Sequence, residues 1–423
     1  MHERLVAVGG RGIRVRRLGG DRAGEIRLTR FLRNPSVSPQ EMARSAAQRT
    51  AARCGGRHVL AIQDTTVVRS QGGGGLYLHA VLAVDAADGA ILGLIDGQFL
   101  SRGEGKAAGR RQLPIEAKES HRWLQGAARA GEVCTAAERV TVIADREADI
   151  FAAFARRPAR VDLLVRAAQD RSLGDGGRLF ARADALPVAA RATLDLPARP
   201  GRRARRAEVA VRFMAAALAR PRNGVGAQAP ASVAVTLVDV REVAPPADAE
   251  PVHWRLLTTL AVRDAAEALA VADLYRRRWA IEQLFRTMKT QGFDIEGVRI
   301  EQQQPRCNLV MAALIAAVSV QQLVHARDGS AGACGVLRPM TDAFEPADVP
   351  LLEAYCAKLE GNTARQTNPH PKGSLAYGAW VCARLGGWTG YYGKPGPLVM
   401  LHGWLEFQAA KRAISLLTKP LNV

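Results

Sequence analysis

From His58 to Val68 the chain reads HVLAIQDTTVV, apolar at Val59–Ile62 and again at Val67–Val68, and two more apolar stretches follow at Gly75–Asp85 and Ala90–Leu100, joined by the turn-forming Ala86–Gly89. Stretches of this length, rich in Val, Ile and Leu, predict three strands in succession, the first ending near Asp64. RVTVIADREADIF, at 139–151, predicts a strand, a turn and a helix start. It places Asp145 at the C-terminal end of the strand, where a side chain leaves the sheet for solvent or ligand. Asp149 then reads as a cap on the following helix. Val161–Ala167 predicts another strand. From 172 to 250 the pattern changes to short alternating runs, Glu208–Phe213 and Ser232–Val243, broken by Pro, Gly and the arginines Arg202, Arg203, Arg205 and Arg206. This predicts a β-rich insertion rather than α/β layering. Trp254 opens a returning strand, WRLLTTLAV.

Helical periods flank these strands. Ser38–Arg53 carries Ser at the N-cap, Pro at N1 and Glu at N3. Ile115–Ala130, 264–292, Asn308–Ala326 and Val349–Leu359 also predict helices. The most apolar run, Leu309–Val320, is too short to span a bilayer and continues into Gln321–Gln322, so it reads as a buried helix. The tail Leu375–Gly403 gathers Trp380, Trp388, Tyr391 and Tyr392 among Gly and Pro and reads as a packed C-terminal unit.

Composition adds a partner. A chain of 423 residues with 48% hydrophobic content can bury a large core spread over more than one domain. Lys and Arg number 59 against 40 Asp and Glu, a net charge of +19. Clustered cations release counterions from nucleic acid on binding, so a polyanionic partner is the natural inference; an Arg-rich proteome that is basic everywhere gives the same total. Residues 1–57 concentrate Arg11, Arg14, Arg16, Arg17, Arg22, Arg27, Arg30 and Arg33, as a basic DNA-binding arm or as a solvated face. Ser101–Arg111 holds Arg102, Lys106, Arg110 and Arg111 among glycines, a DNA-contacting loop or a solvated connection. Six cysteines without a C-x2-C pair suggest neither a disulfide framework nor a zinc site, and point to a reducing compartment. No signal-peptide core is visible at the start.

The most informative stretch is Tyr275–Lys289, YRRRWAIEQLFRTMK. Leu274, Trp279, Ile281, Leu284, Phe285 and Met288 supply an apolar side. Tyr275, Arg278, Glu282 and Lys289 lie at offsets 0, 3, 7 and 14, which at helical pitch fall within roughly 60° of one another. A tyrosine, two cations and a carboxylate on one stripe suit a phosphate-and-metal site. An amphipathic helix with i,i+4 pairs such as Arg278–Glu282 in water gives the same pattern.

The spacing Y-x2-R-x3-E-x6-K, preceded in order by IQDTT and IADREADIF, resembles the IS4-type (Tn5-like) DDE transposase family, and the likeness of order and wording runs from about Arg30 to about Gly403. The resemblance implies an RNase H-like catalytic core with a β-rich insertion between the second and third acidic residues, and helical N- and C-terminal regions. It divides the chain into a DNA-binding region at 1–57, core segments at 58–171 and 254–328 around an insertion at 172–253, and a C-terminal region at 329–423 that dimerises in the family. Its opening is shorter than in the fullest members, which brings in a second expectation: a DNA-binding inhibitor of transposition. An RNase H-like nuclease that does not transpose is a third.

The resemblance carries residue roles. Asp64, Asp145 and Glu282 become the catalytic carboxylates and the ligands of two Mg²⁺ ions, with Mn²⁺ as a substitute, because hard carboxylate oxygens suit these cations. One ion activates water or a 3′-hydroxyl and the other stabilises the leaving oxygen. Tyr275, Arg278, Lys289, Arg286 and Arg166 become DNA-backbone contacts. Trp254 matches a tryptophan that stacks on a flipped base, worth ~1–3 kcal/mol; an ordinary strand-end tryptophan packing on the core is the alternative. The expected activity is cut-and-paste transposition through a hairpin intermediate. The expected partners are double-stranded DNA and a second copy of the chain, without a membrane, in the bacterial cytoplasm on the nucleoid.

Overall fold

The structure is a computed structural model, and it describes residues 15–69, 75–100, 113–196, 204–222, 229–247, 249–329 and 337–418. The arginine-containing loop expected at 101–111, together with Arg11, Arg14, Arg202 and Arg203, lies outside the described residues.

Among the described residues, three helices come first: α1 (Val15–Gly19), α2 (Arg22–Arg33) and α3 (Pro39–Arg53). Ser38 caps α3 by accepting from the Glu41 amide at 3.2 Å, as its sequence predicts. Strands β1 (His58–Arg69), β2 (Gly75–Asp85) and β3 (Ile91–Leu100) follow, then α4 (His121–Val133), β4 (Arg139–Ala144), α5 (Phe151–Ala155) and β5 (Val161–Arg166). The segment 172–253 supplies α6 (Leu179–Ala185), β6 (Ala190–Leu196), β7 (Arg205–Ala219) and β8 (Ser232–Glu242), and opens β9 (His253–Thr258). The helices α7 (Ala265–Arg276), α8 (Trp279–Lys289), α9 (Gln303–Ala326), α10 (Val349–Leu359), α11 (Leu375–Leu385) and α12 (Pro397–Thr418) complete the chain.

Three expectations need correction. Strand β1 does not end near Asp64 but continues to Arg69, so Asp64 sits inside a strand. The helix expected at Ile115–Ala130 is a short 3₁₀ turn, Ile115–Ala117, an extended Lys118, and then α4. The break lets Arg122, on the first turn of α4, reach Glu147 at 2.6 Å. The stretch 264–292 is two helices. The amides of Arg277 and Arg278 bond to the carbonyls three residues back, Leu274 at 3.2 Å and Tyr275 at 3.0 Å. Such a turn advances about 120° per residue instead of 100°, so two residues of it shift the later positions by about 40° relative to a continuous helix.

The chain folds as two compact units. The first comprises Met1–Arg57, Thr65–Arg102 and Ala280–Val423. Its strands run in the order β3-β2-β1, and α3 lies across β3. There Thr50 donates its hydroxyl to the Leu94 carbonyl at 2.7 Å. Gly93 faces it with φ +153, and a Cβ at that position would stand 2.2 Å from the Thr50 hydroxyl. Helix α9 is the core helix of this unit. It is the one described helix long and apolar enough to cross a membrane, and 83% of its most apolar window is buried within the protein.

The second unit comprises His58–Asp64 and Gly103–Trp279. Its strands run β1-β4-β5-β9-β8-β7-β6. Strands β1, β4 and β5 are parallel, and pairing is antiparallel from β5 through β9 and β8 to β7 and β6. The strands of 172–253 therefore extend this mixed sheet instead of forming their own. Helix α7 packs on β6, β7 and β8. Helix α4 packs on β4 and β5, with Gly126 so near the fully buried Gln63 that a Cβ would lie 2.4 Å from its amide oxygen.

Candidate active site

The parallel registers of the second unit place its charged residues. Strand β1 pairs with β4 up to Ile62↔Ile143, and β4 with β5 up to Ala144↔Val165. Carrying each register forward sets Asp64 level with Asp145, and Asp145 level with Arg166. Asp145 itself stands one residue past the end of β4, where its carboxylate caps the turn Arg146–Ala148 by accepting from the Arg146 amide.

The end of α7 comes down on this row. Tyr275 is only 4% exposed and sets its ring edge-on against Trp254, with centroids 5.4 Å apart. Arg278, two residues beyond the helix, is buried as well. Its guanidinium lies 6.0 Å from the Tyr275 ring and donates from Nη1 to Asp64 Oδ2 at 3.2 Å. Burial pushes the Tyr275 phenol up to about 12; the Arg278 charge works against this, Asp145 adds to it and Arg166 opposes it. Arg166 donates from Nη2 to the His253 carbonyl at 2.7 Å. Burial lowers its pKa, with Tyr275, Arg146, Asp145 and Arg278 as its charged neighbours. Five expected residues in addition to Asp64 are thus gathered in one unit: Asp145, Arg166, Trp254, Tyr275 and Arg278.

The remaining three are carried on α8 within the first unit. Glu282 and Arg286 are half-buried. Lys289 donates to the Val67 carbonyl at 2.5 Å and pairs with Glu296 at 3.7 Å; burial lowers its pKa, partly offset by Glu296. Among the described residues no three His, Cys, Asp or Glu side chains converge as a metal-binding group. Two of the expected carboxylates, Asp64 and Asp145, belong to the second unit, and oxygens of this kind suit a hard divalent cation.

Two supports escaped the sequence reading. Asp149 does not cap a helix. Its buried carboxylate accepts from the amides of Ala168 at 2.8 Å and Gln169 at 3.0 Å and from Arg171 Nε at 2.8 Å. It thereby ties the turn after Asp145 to the chain leaving β5 after Arg166. On the other side, buried Arg122 holds Glu147 of the same turn. Neither tie has a periodic signal, since Asp149 and Arg171 are 22 residues apart.

The second unit is thus a mixed α/β fold in which Arg278 pairs with Asp64 and Tyr275 packs on Trp254. The family model of the transposase DDE domain matches residues 135–318, a little under half of the chain. The match includes Asp145, Arg166, Trp254, Tyr275, Arg278 and the whole of α8, and begins after Asp64. It supports a DDE transposase domain, an enzyme acting on DNA. Domains of this kind generally use divalent metal ions.

Proposed function

We propose that the protein is an IS4-type transposase that excises and inserts DNA by metal-dependent phosphodiester cleavage and strand transfer, through a hairpin intermediate. The observation that carries this reading is Arg278 docked on Asp64, with Asp145 and Arg166 as charged neighbours of Tyr275 in the same unit.

In this reading Asp64 and Asp145 hold Mg²⁺, with Glu282, four residues beyond Arg278, as the third carboxylate. The metal supplies Lewis-acid stabilisation and an activated oxygen nucleophile. Asp64 stands on β1 and Asp145 just past the end of β4, and the Asp149–Arg171 and Arg122–Glu147 pairs keep the Asp145 turn in place. Arg166, Arg278, Arg286 and Lys289 bind backbone phosphates, where a guanidinium offers paired donors and an ammonium a point charge. Tyr275 stays neutral at physiological pH and donates a hydrogen bond to a phosphate oxygen. Trp254 stacks on a displaced base. The RNase H-like core with its β-rich insertion, the regions at 1–57 and 329–423 as DNA-binding and dimerising parts, and a synaptic dimer on two DNA ends belong to the same reading.

The test is cleavage of a duplex carrying the repeat that flanks the gene, in Mg²⁺ and in EDTA, resolved on a denaturing gel. A metal-dependent hairpin is the expected product. Nicking without a hairpin or strand transfer would leave a nuclease. Binding without any cut in Mg²⁺ or Mn²⁺ would overturn the enzymatic reading in favour of an inhibitor.

A further inference from the structure

We propose that Asp239 is a positioning residue for Trp254. Its buried carboxylate holds the side chains of His253 and Arg255, the two neighbours of Trp254 on β9, and so keeps the indole on the opposite face of the sheet for a displaced base to stack on. This deepens the reading of Trp254 as a base-stacking residue and rests on it.

Strand register supplies the geometry. Asp239 on β8 stands directly across from Arg255 on β9 and from Arg212 on β7, and Arg241 stands across from His253. Residues paired across an antiparallel ladder share a face, as do alternate residues of one strand. All five therefore lie on one face. His253 Nε2 is 2.9 Å from Asp239 Oδ1, and Arg255 Nε is 3.6 Å from the same oxygen. Arg212 and Arg241 approach Oδ2 at 3.7 and 3.8 Å. Helix α6 closes this face. Its Asp184 accepts from Arg241 and Arg255, its Phe180 ring lies 4.2 Å from the Arg255 guanidinium, and the Leu186 carbonyl just after it accepts from Arg212 Nε at 3.0 Å. Trp254, between two residues held on this face, takes the other. There it meets Tyr275 and is only half-buried.

Two features show that this carboxylate does more than fill space. Asp239 is fully buried. For stability alone, apolar side chains of similar volume serve such a place as well as buried charges do, or better. What the charge adds is a fixed arrangement of its partners. The second feature is the place itself, where the β5 edge of β9 loses its ladder. The last residue pair there is Arg166↔Leu256. Beyond it that edge is held by two single hydrogen bonds, from the Ala167 amide to the Arg255 carbonyl and from Arg166 to the His253 carbonyl, both 2.7 Å. These bonds fix the main chain on either side of Trp254, and Asp239 fixes the side chains. Together they set the direction of the indole, and a reacting group misplaced by about 1 Å loses on the order of 100-fold in rate.

The experiment measures equilibrium binding of the full chain, by fluorescence anisotropy in Ca²⁺, to two forms of a duplex carrying the repeat that flanks the gene. One form ends in a hairpin, which displaces a base, and the other is blunt. The parent should prefer the hairpin end, and Trp254→Ala should reduce that preference about 5- to 150-fold, the value of one stacked base. Asp239→Asn keeps the shape and removes the charge. It should reduce the preference at least about threefold while blunt-end affinity stays near the parent's, and should add nothing in the Trp254→Ala background. His253→Ala should act in the same direction and serves if Asp239→Asn does not fold; His253→Gln, which returns a donor to the carboxylate, should recover most of the preference. A role confined to stability would weaken both duplexes alike. That result, or an equal loss of preference with and without Trp254, overturns the proposal. A loss in Trp254→Ala with none in Asp239→Asn or His253→Ala overturns it too and leaves the base-stacking reading standing. If the parent shows no preference, or Trp254→Ala keeps it, that reading fails and the proposal falls with it.

Discussion

At the scale of single residues, environment rather than identity decides what each side chain does. Tyr275 is a phenol in a nearly closed pocket, and burial raises its pKa from 10.0 to about 12. A phenol that ionises less readily folded than unfolded stabilises the fold fully below pH 10. That contribution disappears as the pH rises through 12, because the unfolded state loses its proton first. At pH 11 the loss amounts to about 1.4 kcal/mol. Urea denaturation of the parent and of Tyr275→Phe at pH 8 and 11 should show the parent losing that much more stability. Equal losses would mean that the phenol is solvated. Asp149 is a different case, a buried carboxylate whose value is the set of donors it holds. Asp149→Ala strands the buried Arg171 guanidinium and two backbone amides, and should cost about 3–5 kcal/mol. A denaturant midpoint close to the parent's would show that the clamp is dispensable. Glu282→Gln should abolish cleavage in Mg²⁺ while leaving duplex affinity near the parent's, as measured by gel cleavage and fluorescence anisotropy on one preparation.

Elements take their positions from close approaches that only small residues permit. Helix α3 docks on β3 where Gly93 admits the Thr50 hydroxyl, and the glycine's φ of +153 suits no other residue. Gly93→Ala should destabilise the protein by about 2–4 kcal/mol, combining overpacking with backbone strain. Adding Thr50→Ala removes the clashing atoms and should recover part of that loss, which thermal melts of the three variants would reveal. If the double variant is no better than the single, backbone strain alone accounts for the effect. The interruption between α7 and α8 shows the same logic applied to polar groups. A regular helix would satisfy every amide there. The chain instead takes two i→i−3 bonds and sets Tyr275 on Trp254 and Arg278 on Asp64.

For the whole molecule, the net charge of +19 sets the terms of association with DNA. Binding should weaken steeply with salt. Removing one phosphate-contacting cation should flatten the slope of log affinity against log salt by about one unit. Arg286 has no ion-pair partner among the described residues, so Arg286→Ala should show this reduction without loss of stability. An unchanged slope would exclude Arg286 from the interface. The slope is a better measure than affinity alone, since a cation that serves only the fold alters stability and leaves the salt dependence intact.

Period and punctuation determined most of the elements. Apolar runs bounded by turn residues set β2, β3, β4 and β5, and the Ser38 cap with its following proline set α3 to the residue. These signals are local, because a strand or a helix start is written in a few neighbouring side chains. The order of the three acidic motifs also singled out Asp64, Asp145 and Glu282 as the expected carboxylates. What the tertiary structure alone decided is long-range. The meeting of Arg278 with Asp64 joins residues 214 apart. The Asp149 clamp depends on an arginine beyond the next strand, and the break after Tyr275 yields local helical preference to two tertiary contacts. Hydrophobic periodicity reports which face of an element is buried; it carries no information about which polar partner waits there, and that choice belongs to strand register and packing.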